Sequence, residues 1–447
     1  MIGVVGKLGR RRLEYEVVKR LVGPLLTEVE SARARVKSFR KRGHQPKGPF
    51  GPPLESARKL KELMTRHYLE GRYADGAVPV AWVTSGFPVE VLRPLGFHAV
   101  YPENHAALCA VQRVVPHLSE AIEQQGYSRD LCSYPRADLG SVVLQETPVG
   151  RLPRPDLLCC CTNICQTTLY WYRALAAHFH VPLVLVDPPF VYGEAKPHHR
   201  EYVRDQLEEL LDVAGKVAGR RATMDEIVEV TRLAREGTLL WGECLAESRN
   251  RPAPWTGIDG FFHIAPIVAL RGKPECNAYY RQLRDELRHR VDKGIGGIRD
   301  ERHRLLWDNL PIWFDVRGTA TLLAERGFNF VCTSYTNAWA EAGSRIDPAD
   351  PLGSAVIAYT DIILNQDLGK RYATLARLAE EYTCDGAVLH SDRSCKPYSI
   401  GQLDLKQRLA KDLGIKVMVL EADHGDPRAY AVEQGHGRLT AFMESFA

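Results

Sequence analysis

No apolar stretch in this chain approaches the ~18–20 residues that a membrane span requires. The apolar run in Met1–Glu16 is too short for a signal peptide, and Glu14 and Glu16 argue against a transit peptide. The chain also lacks a strong charge of either sign: 59 basic and 55 acidic residues leave a net +4. A nucleic-acid-binding protein is expected to cluster its basic residues on one face. The basic run Arg33–Arg42 with Lys47 reads instead as a solvated N-terminal helix. There is no Cys-x2-Cys pair, no ferredoxin cysteine run and no Walker A loop, so ATP hydrolysis by that route is not expected. Lys293-Gly-Ile-Gly-Gly297 lacks the GxGxxG order and a strong preceding strand.

What is present is 447 residues with 45% hydrophobic and 26% charged content, a globular mix long enough for two or three domains. Eleven cysteines is an odd count. Without an export signal they read as reduced thiols, some of them candidate metal ligands, in a cytoplasmic protein.

Residues 1–75 read as helical, with Val17, Leu21 and Leu25 at helical spacing and a Gly/Pro-rich break at Gly43–Pro53. From 76 to 195 the pattern is α/β. Strands are expected at Val78–Thr84, Asp156–Cys161 and Pro182–Val186, with a helix at Leu169–Phe179. Residues 196–303 read as a helical insert. Leu207, Leu210 and Ala214 step at 3.6-residue spacing, Thr223 with Glu226 forms a capping box, and Leu283, Leu287 and Val291 form a further stripe. From 304 to 447 the α/β pattern returns. Its expected strands are Leu305–Leu310, Asn329–Thr333, Gly386–His390 and Lys416–Glu421; its expected helices are Leu322–Glu325, Arg371–Tyr382 and Gln402–Leu413. The expected architecture is two open parallel-sheet (Rossmann/flavodoxin-like) α/β domains facing a cleft and joined by the helical middle. Ligands bind such sheets at the carboxyl edge of the strands.

That rule selects cysteines. Cys165 ends Leu157-Leu-Cys-Cys-Cys-Thr-Asn-Ile-Cys165 and Cys395 ends Gly386-Ala-Val-Leu-His-Ser-Asp-Arg-Ser-Cys395, each just past a strand. Cys132, in Asp130–Gly140, is the third candidate. Three thiolates converging on one cleft suit a soft metal or an iron–sulfur cluster, although an isolated free cysteine is most often an inert core residue. Cys159, Cys160 and Cys161 lie inside a strand and read as core, and Cys109, Cys244, Cys276, Cys332 and Cys384 are assigned to the core as well. His198-His199 reads as a solvated helix start after Pro197 rather than a ligand pair.

Five segments carry a resemblance: Pro102-Glu-Asn-His105, Asp130-Leu-Cys-Ser-Tyr-Pro-Arg-Ala-Asp-Leu-Gly140, Thr162-Asn-Ile-Cys165, Arg393-Ser-Cys-Lys-Pro-Tyr-Ser-Ile-Gly-Gln402 and Glu421-Ala-Asp-His-Gly-Asp-Pro-Arg428. From about residue 75 onward the chain resembles the larger iron–sulfur subunit of ATP-dependent benzoyl-CoA reductase, within the wider 2-hydroxyacyl-CoA dehydratase D-component family. The resemblance implies a 4Fe–4S cluster held by Cys132, Cys165 and Cys395, with a fourth iron position not filled by a cysteine of this motif. It also implies a second homologous cluster subunit, an ATP-hydrolysing activator carrying its own iron–sulfur cluster, and a reduced ferredoxin-type donor upstream. The expected substrate is an acyl-CoA, with no nucleic-acid or membrane partner. The expected activity is dearomatising reduction of an aromatic acyl-CoA; the rival is 2-hydroxyacyl-CoA dehydration through a ketyl radical. A non-enzymatic electron carrier or assembly scaffold would need less chain than this. Glu103 and His105 are candidates for orienting substrate or moving protons, with Glu103 as a helix cap the alternative. Lys396, Tyr398 and Ser399 follow a presumed ligand and could donate hydrogen bonds to cluster sulfurs.

Overall fold

The computed structural model describes residues 2–29, 32 and 48–447. The basic run Arg33–Arg42 with Lys47, and the first residues of the Gly43–Pro53 break, lie outside the described residues. The N-terminal helix forms (Ile2–Val17, continued by Val18–Val22), but the expected apolar stripe does not face the core. Val17, Leu21 and Leu25 are exposed, whereas Tyr15, Val18 and Thr27 are buried. The 3.6-residue period locates the helix but not its buried face.

Among the described residues, eight strands make two four-stranded sheets, parallel throughout. The first contains β1 (Val80–Val83), β2 (His98–Val100), β3 (Leu157–Cys161) and β4 (Leu183–Val186) in the order β2-β1-β3-β4. The second contains β5 (His303–Asp308), β6 (Phe328–Thr333), β7 (Gly386–Asp392) and β8 (Lys416–Ala422) in the order β6-β5-β7-β8. The two orders are the same, so the chain is built from two topologically matched open α/β units. In each, the strand order reverses beside the first strand, between β1 and β3 and between β5 and β7. That is where a crevice opens at the carboxyl edge of such sheets.

Burial on both faces explains the nearly unbroken apolar strands. Cys159 and Cys161 pack into one core cluster and Cys160 into another, as alternate residues of a strand must. The remaining five cysteines assigned to the core are buried too. β2 is the strand that the sequence pattern does not show: it has three residues and follows the Arg93–Leu95 turn and Gly96, which adopts φ +84°.

Three long helices, Pro197–Ala218, Met224–Ala246 and Pro274–Asp292, form the middle segment. Thr223 and Glu226 make the expected capping box, the Thr223 side chain accepting from Glu226 N and Glu226 from Thr223 N. His199 sits in the first turn of its helix, its Nδ1 accepting from Lys196 N at 3.3 Å, which is a helix-start role. The helix expected at Leu322–Glu325 is longer, Val316–Ala324, because Gly318 and two threonines mask its periodicity. No helix among the described residues is long and apolar enough to cross a membrane.

Candidate active site

The three selected cysteines share a backbone role that spacing does not reveal: each is the N-cap of a helix. Cys132 precedes Ser133–Leu144, Cys165 precedes Gln166–Phe179, and Cys395 precedes the short helix Lys396–Ser399. None of the three thiols caps its own helix, so each is free to face outward. At Cys165 the backbone N–H groups of Thr167 and Thr168 at the start of its helix pull the thiol down. Cys165 follows β3 and Cys395 follows β7, equivalent strands in the matched sheets.

All three line one cavity of about 170 Å³. Its walls are apolar and aromatic, including Trp171, Leu310, Tyr335, Trp339 and Ile363. Burial pushes the Cys165 thiol up to about 11, and Cys132 adds to the rise. Burial also raises Cys395, reinforced by Asp392 and the two other thiols. The cysteines do not form a set with every sulfur within 4.8 Å of the others, which a single tetrahedral ion would draw together. Three separated thiols on one dry cavity fit a polynuclear iron–sulfur group, in which each thiolate binds a different iron.

Glu103 also lines this cavity. It lies in the first turn of the helix Pro102–Val111 and does not cap it; its Oε1 accepts a hydrogen bond from Ser85 N at 3.1 Å. Burial raises its carboxyl to about 7, against the lowering effect of backbone N–H donors. Glu103 Oε2 and Ser85 Oγ are buried without a hydrogen-bond partner, and they are the cavity's two such side-chain atoms among the described residues. Buried polar atoms are normally paired, so these two neighbouring side chains mark a polar spot in an otherwise apolar cavity wall. Ser85 stands at the carboxyl end of β1, and its sequence context marks it only as a strand terminator.

His105 does not line the cavity. It is fully buried behind it, with Nδ1 3.3 Å from Asp138 Oδ1 and Nε2 2.8 Å from Thr147 Oγ1. Burial would lower its pKa, but Asp138 and Cys109 outweigh this and raise it to about 9. Asp138 also accepts from Trp171 Nε1 at 3.0 Å, so one residue, Asp138, links His105 by hydrogen bonds to the cavity wall.

Tyr398 lines the cavity, as expected of a neighbour of Cys395, but Lys396 and Ser399 do not. Lys396 Nζ donates to Arg393 O, and Ser399 Oγ donates to Asp392 O at 2.7 Å. Both staple the Cys395 loop and border a separate polar cleft. In this structure Ser399 Oγ–H and one N–H of Lys396 are directed to the backbone.

Asp392 and His424 carry no functional signal of their own in the sequence. His424 Nδ1 bonds Asp392 Oδ2, and its Nε2 lies 3.0 Å from Ser133 Oγ and 3.7 Å from Cys132 Sγ. Asp392, Asp423 and His424 bring their ligand atoms within 4.8 Å of one another, yet each such atom already has a protein partner. They read as a hydrogen-bonded brace rather than an ion site.

The fold and site define a two-unit α/β protein with three cysteines at helix N-cap positions on a shared apolar cavity. The chain belongs to the 2-hydroxyglutaryl-CoA dehydratase, D-component family, which matches residues 84–446. It is 30% identical over 389 residues to the (R)-2-hydroxyisocaproyl-CoA dehydratase alpha subunit of Clostridioides difficile, covering 86% of this chain and 94% of that one. It is 28% identical over 404 residues to a benzoyl-CoA reductase subunit of Thauera aromatica, covering 86% and 93%. To the (R)-2-hydroxyglutaryl-CoA dehydratase alpha subunit of Acidaminococcus fermentans it is 24% identical over 469 residues, covering 88% and 97%. These relatives are enzyme subunits, lyases and a reductase alike.

Proposed function

We propose that this chain is the cluster-bearing catalytic subunit of a reductively activated acyl-CoA enzyme, and that it reduces an aromatic acyl-CoA such as benzoyl-CoA. The observation that carries the reading is an apolar cavity lined by three cysteines together with Ser85 and Glu103, the two lining residues that hold a buried side-chain oxygen without a hydrogen-bond partner. Cys132, Cys165 and Cys395 would hold a 4Fe–4S cluster, which supplies single low-potential electrons when bound. Ser85 Oγ–H hydrogen-bonds the thioester carbonyl and orients it. Glu103, poised near neutrality, donates and takes the proton that accompanies each reduction. The apolar walls exclude water, which would otherwise quench a strongly reduced substrate. Aromatic side chains on those walls, Trp171 and Trp339 among them, suit a flat ring.

A thioester carbonyl is a poor electron acceptor, and the chain carries no Walker A loop. The family resemblance, with which the missing Walker A loop is consistent, supports a working assembly that includes a second cluster subunit, an ATP-hydrolysing activator with its own iron–sulfur cluster, and a reduced ferredoxin-type donor, in the reducing cytoplasm. Dehydration of a 2-hydroxyacyl-CoA is the second reading, favoured by the dehydratase names of several relatives. Anaerobic turnover of the assembled complex with benzoyl-CoA and with a 2-hydroxyacyl-CoA separates the two. Stoichiometric consumption of reductant with formation of a cyclic diene is expected. Efficient dehydration with no net electron use and no ring reduction would overturn the reductase reading. Steady turnover by this chain alone, without ATP or partners, would overturn the assembly.

A further inference from the structure

The cavity has one cationic side chain in its wall among the described residues, Arg271, and that cation is spent. Arg271 is 3% exposed. Its Nε donates to Glu90 Oε1 at 2.9 Å, and its Nη2 donates to Phe87 O and to Tyr359 Oη, both at 2.8 Å. Nη1 reaches Ile267 O at 3.3 Å. Tyr359 Oη in turn donates to Glu90 Oε2 at 2.8 Å, closing a triangle of three buried side chains. The guanidinium also lies 5.4 Å from the Trp339 ring.

A carboxylate brought into this cavity would meet a neutralised arginine, the charge of Glu90, and walls of Trp339, Ile346 and Ile363. Burying a carboxylate without a partner costs several kcal/mol, whereas an apolar chain or ring gains by leaving water. We infer that the cavity selects uncharged, apolar acyl groups and rejects acyl groups ending in a second carboxylate, and that Glu90 sets this choice by occupying Arg271. Glu90 is thus a specificity-determining residue for the acyl-CoA reading on which the inference rests. It acts through Arg271, by withholding that side chain's charge and donors.

The test is anaerobic equilibrium binding to the assembled complex, with benzoyl-CoA, isocaproyl-CoA and glutaryl-CoA as probes. The wild-type complex is expected to bind the two apolar acyl-CoAs roughly a hundredfold more tightly than glutaryl-CoA. Glu90→Gln keeps the shape but removes the counter-charge, so glutaryl-CoA should tighten by about tenfold or more. Its affinity for the apolar probes should fall or hold. Equal wild-type affinity for all three probes overturns the inference, and that comparison does not depend on the variant folding. A folded Glu90→Gln complex with an unchanged preference also overturns it. Absence of saturable binding by any of the three probes defeats the acyl-CoA function itself, and the inference falls with it.

Discussion

His424 and Cys132 are 292 positions apart in the chain, yet the imidazole Nε2 lies 3.7 Å from the thiol sulfur. His424 follows β8 and Cys132 precedes the helix that ends at Leu144, so this contact joins the two α/β units beside the cavity. Asp392 holds the other face of the ring, and Tyr134 packs edge-on against it at 4.3 Å. His424→Ala would leave the buried Asp392 carboxylate without its partner, at a cost of about 3–5 kcal/mol. Ser133→Ala removes one hydrogen bond and should cost about 1 kcal/mol. Denaturant midpoints of the two variants test this; equal losses would show that His424 is not the brace described.

Iron loading distinguishes the cavity thiols from the strand thiols. On the proposed assignment Cys165→Ala removes a ligand that no methyl group replaces, and should lose iron and acid-labile sulfide. Cys160→Ala removes a sulfur from a packed core and should retain iron, at a stability cost of about 1 kcal/mol and a few at most. Iron analysis and low-temperature EPR on anaerobically prepared variants decide the matter. Retention of iron by Cys165→Ala with its loss in Cys160→Ala would reverse the assignment.

Glu103 gives the pH dependence a definite sign. Its carboxyl titrates near 7 in the folded chain and near 4.5 when exposed, so the folded state holds the extra proton between those values. Stability from this group is complete below about 4.5 and is lost as pH rises through 7. Glu103→Gln cannot ionise, so its stability relative to wild type should improve between pH 5 and pH 8 by on the order of 3 kcal/mol. Thermal midpoints at the two pH values measure the change, and a constant difference would contradict it. In the assembled enzyme the same variant should lose roughly 10²–10⁴-fold in turnover.

The Thr223 cap provides a test outside the site. Thr223→Ala breaks the box at the start of the Met224–Ala246 helix and should cost about 1 kcal/mol, while binding and iron content stay unchanged. A change in iron content would mean that the middle helices control the cavity more directly than this hydrogen bond suggests.

The readable parts of the sequence are those set by local periodicity. Gln402–Leu413 forms as a helix with the expected limits, and seven of the eight strands lie where apolar runs end in turn residues. The carboxyl-edge rule then leads to Cys165 and Cys395, because each stands a few residues beyond such a run. Cys132 rests on resemblance, since its neighbours carry no strand signal. The brace is illegible because Asp392, His424 and Ser133 meet only after both sheets have packed, and no spacing records that meeting. The same holds for Arg271, Glu90 and Tyr359, drawn from three distant segments. Lys396 and Ser399 show the opposite case: closeness in sequence to Cys395 does not fix the direction in which their side chains turn.

The division of the three thiols between the matched sheets has a consequence for how the protein is made. Cys132 and Cys165 leave the ribosome with the first unit, but Cys395 comes more than two hundred residues later. At ~5–20 residues per second that interval lasts on the order of tens of seconds. Throughout it the nascent chain presents two unpartnered thiols and half a cavity. A cluster held as proposed, by all three cysteines, could be completed only after the segment carrying Cys395 has emerged and docked. A chain stopped before Cys395 would hold only two of the three cavity thiols.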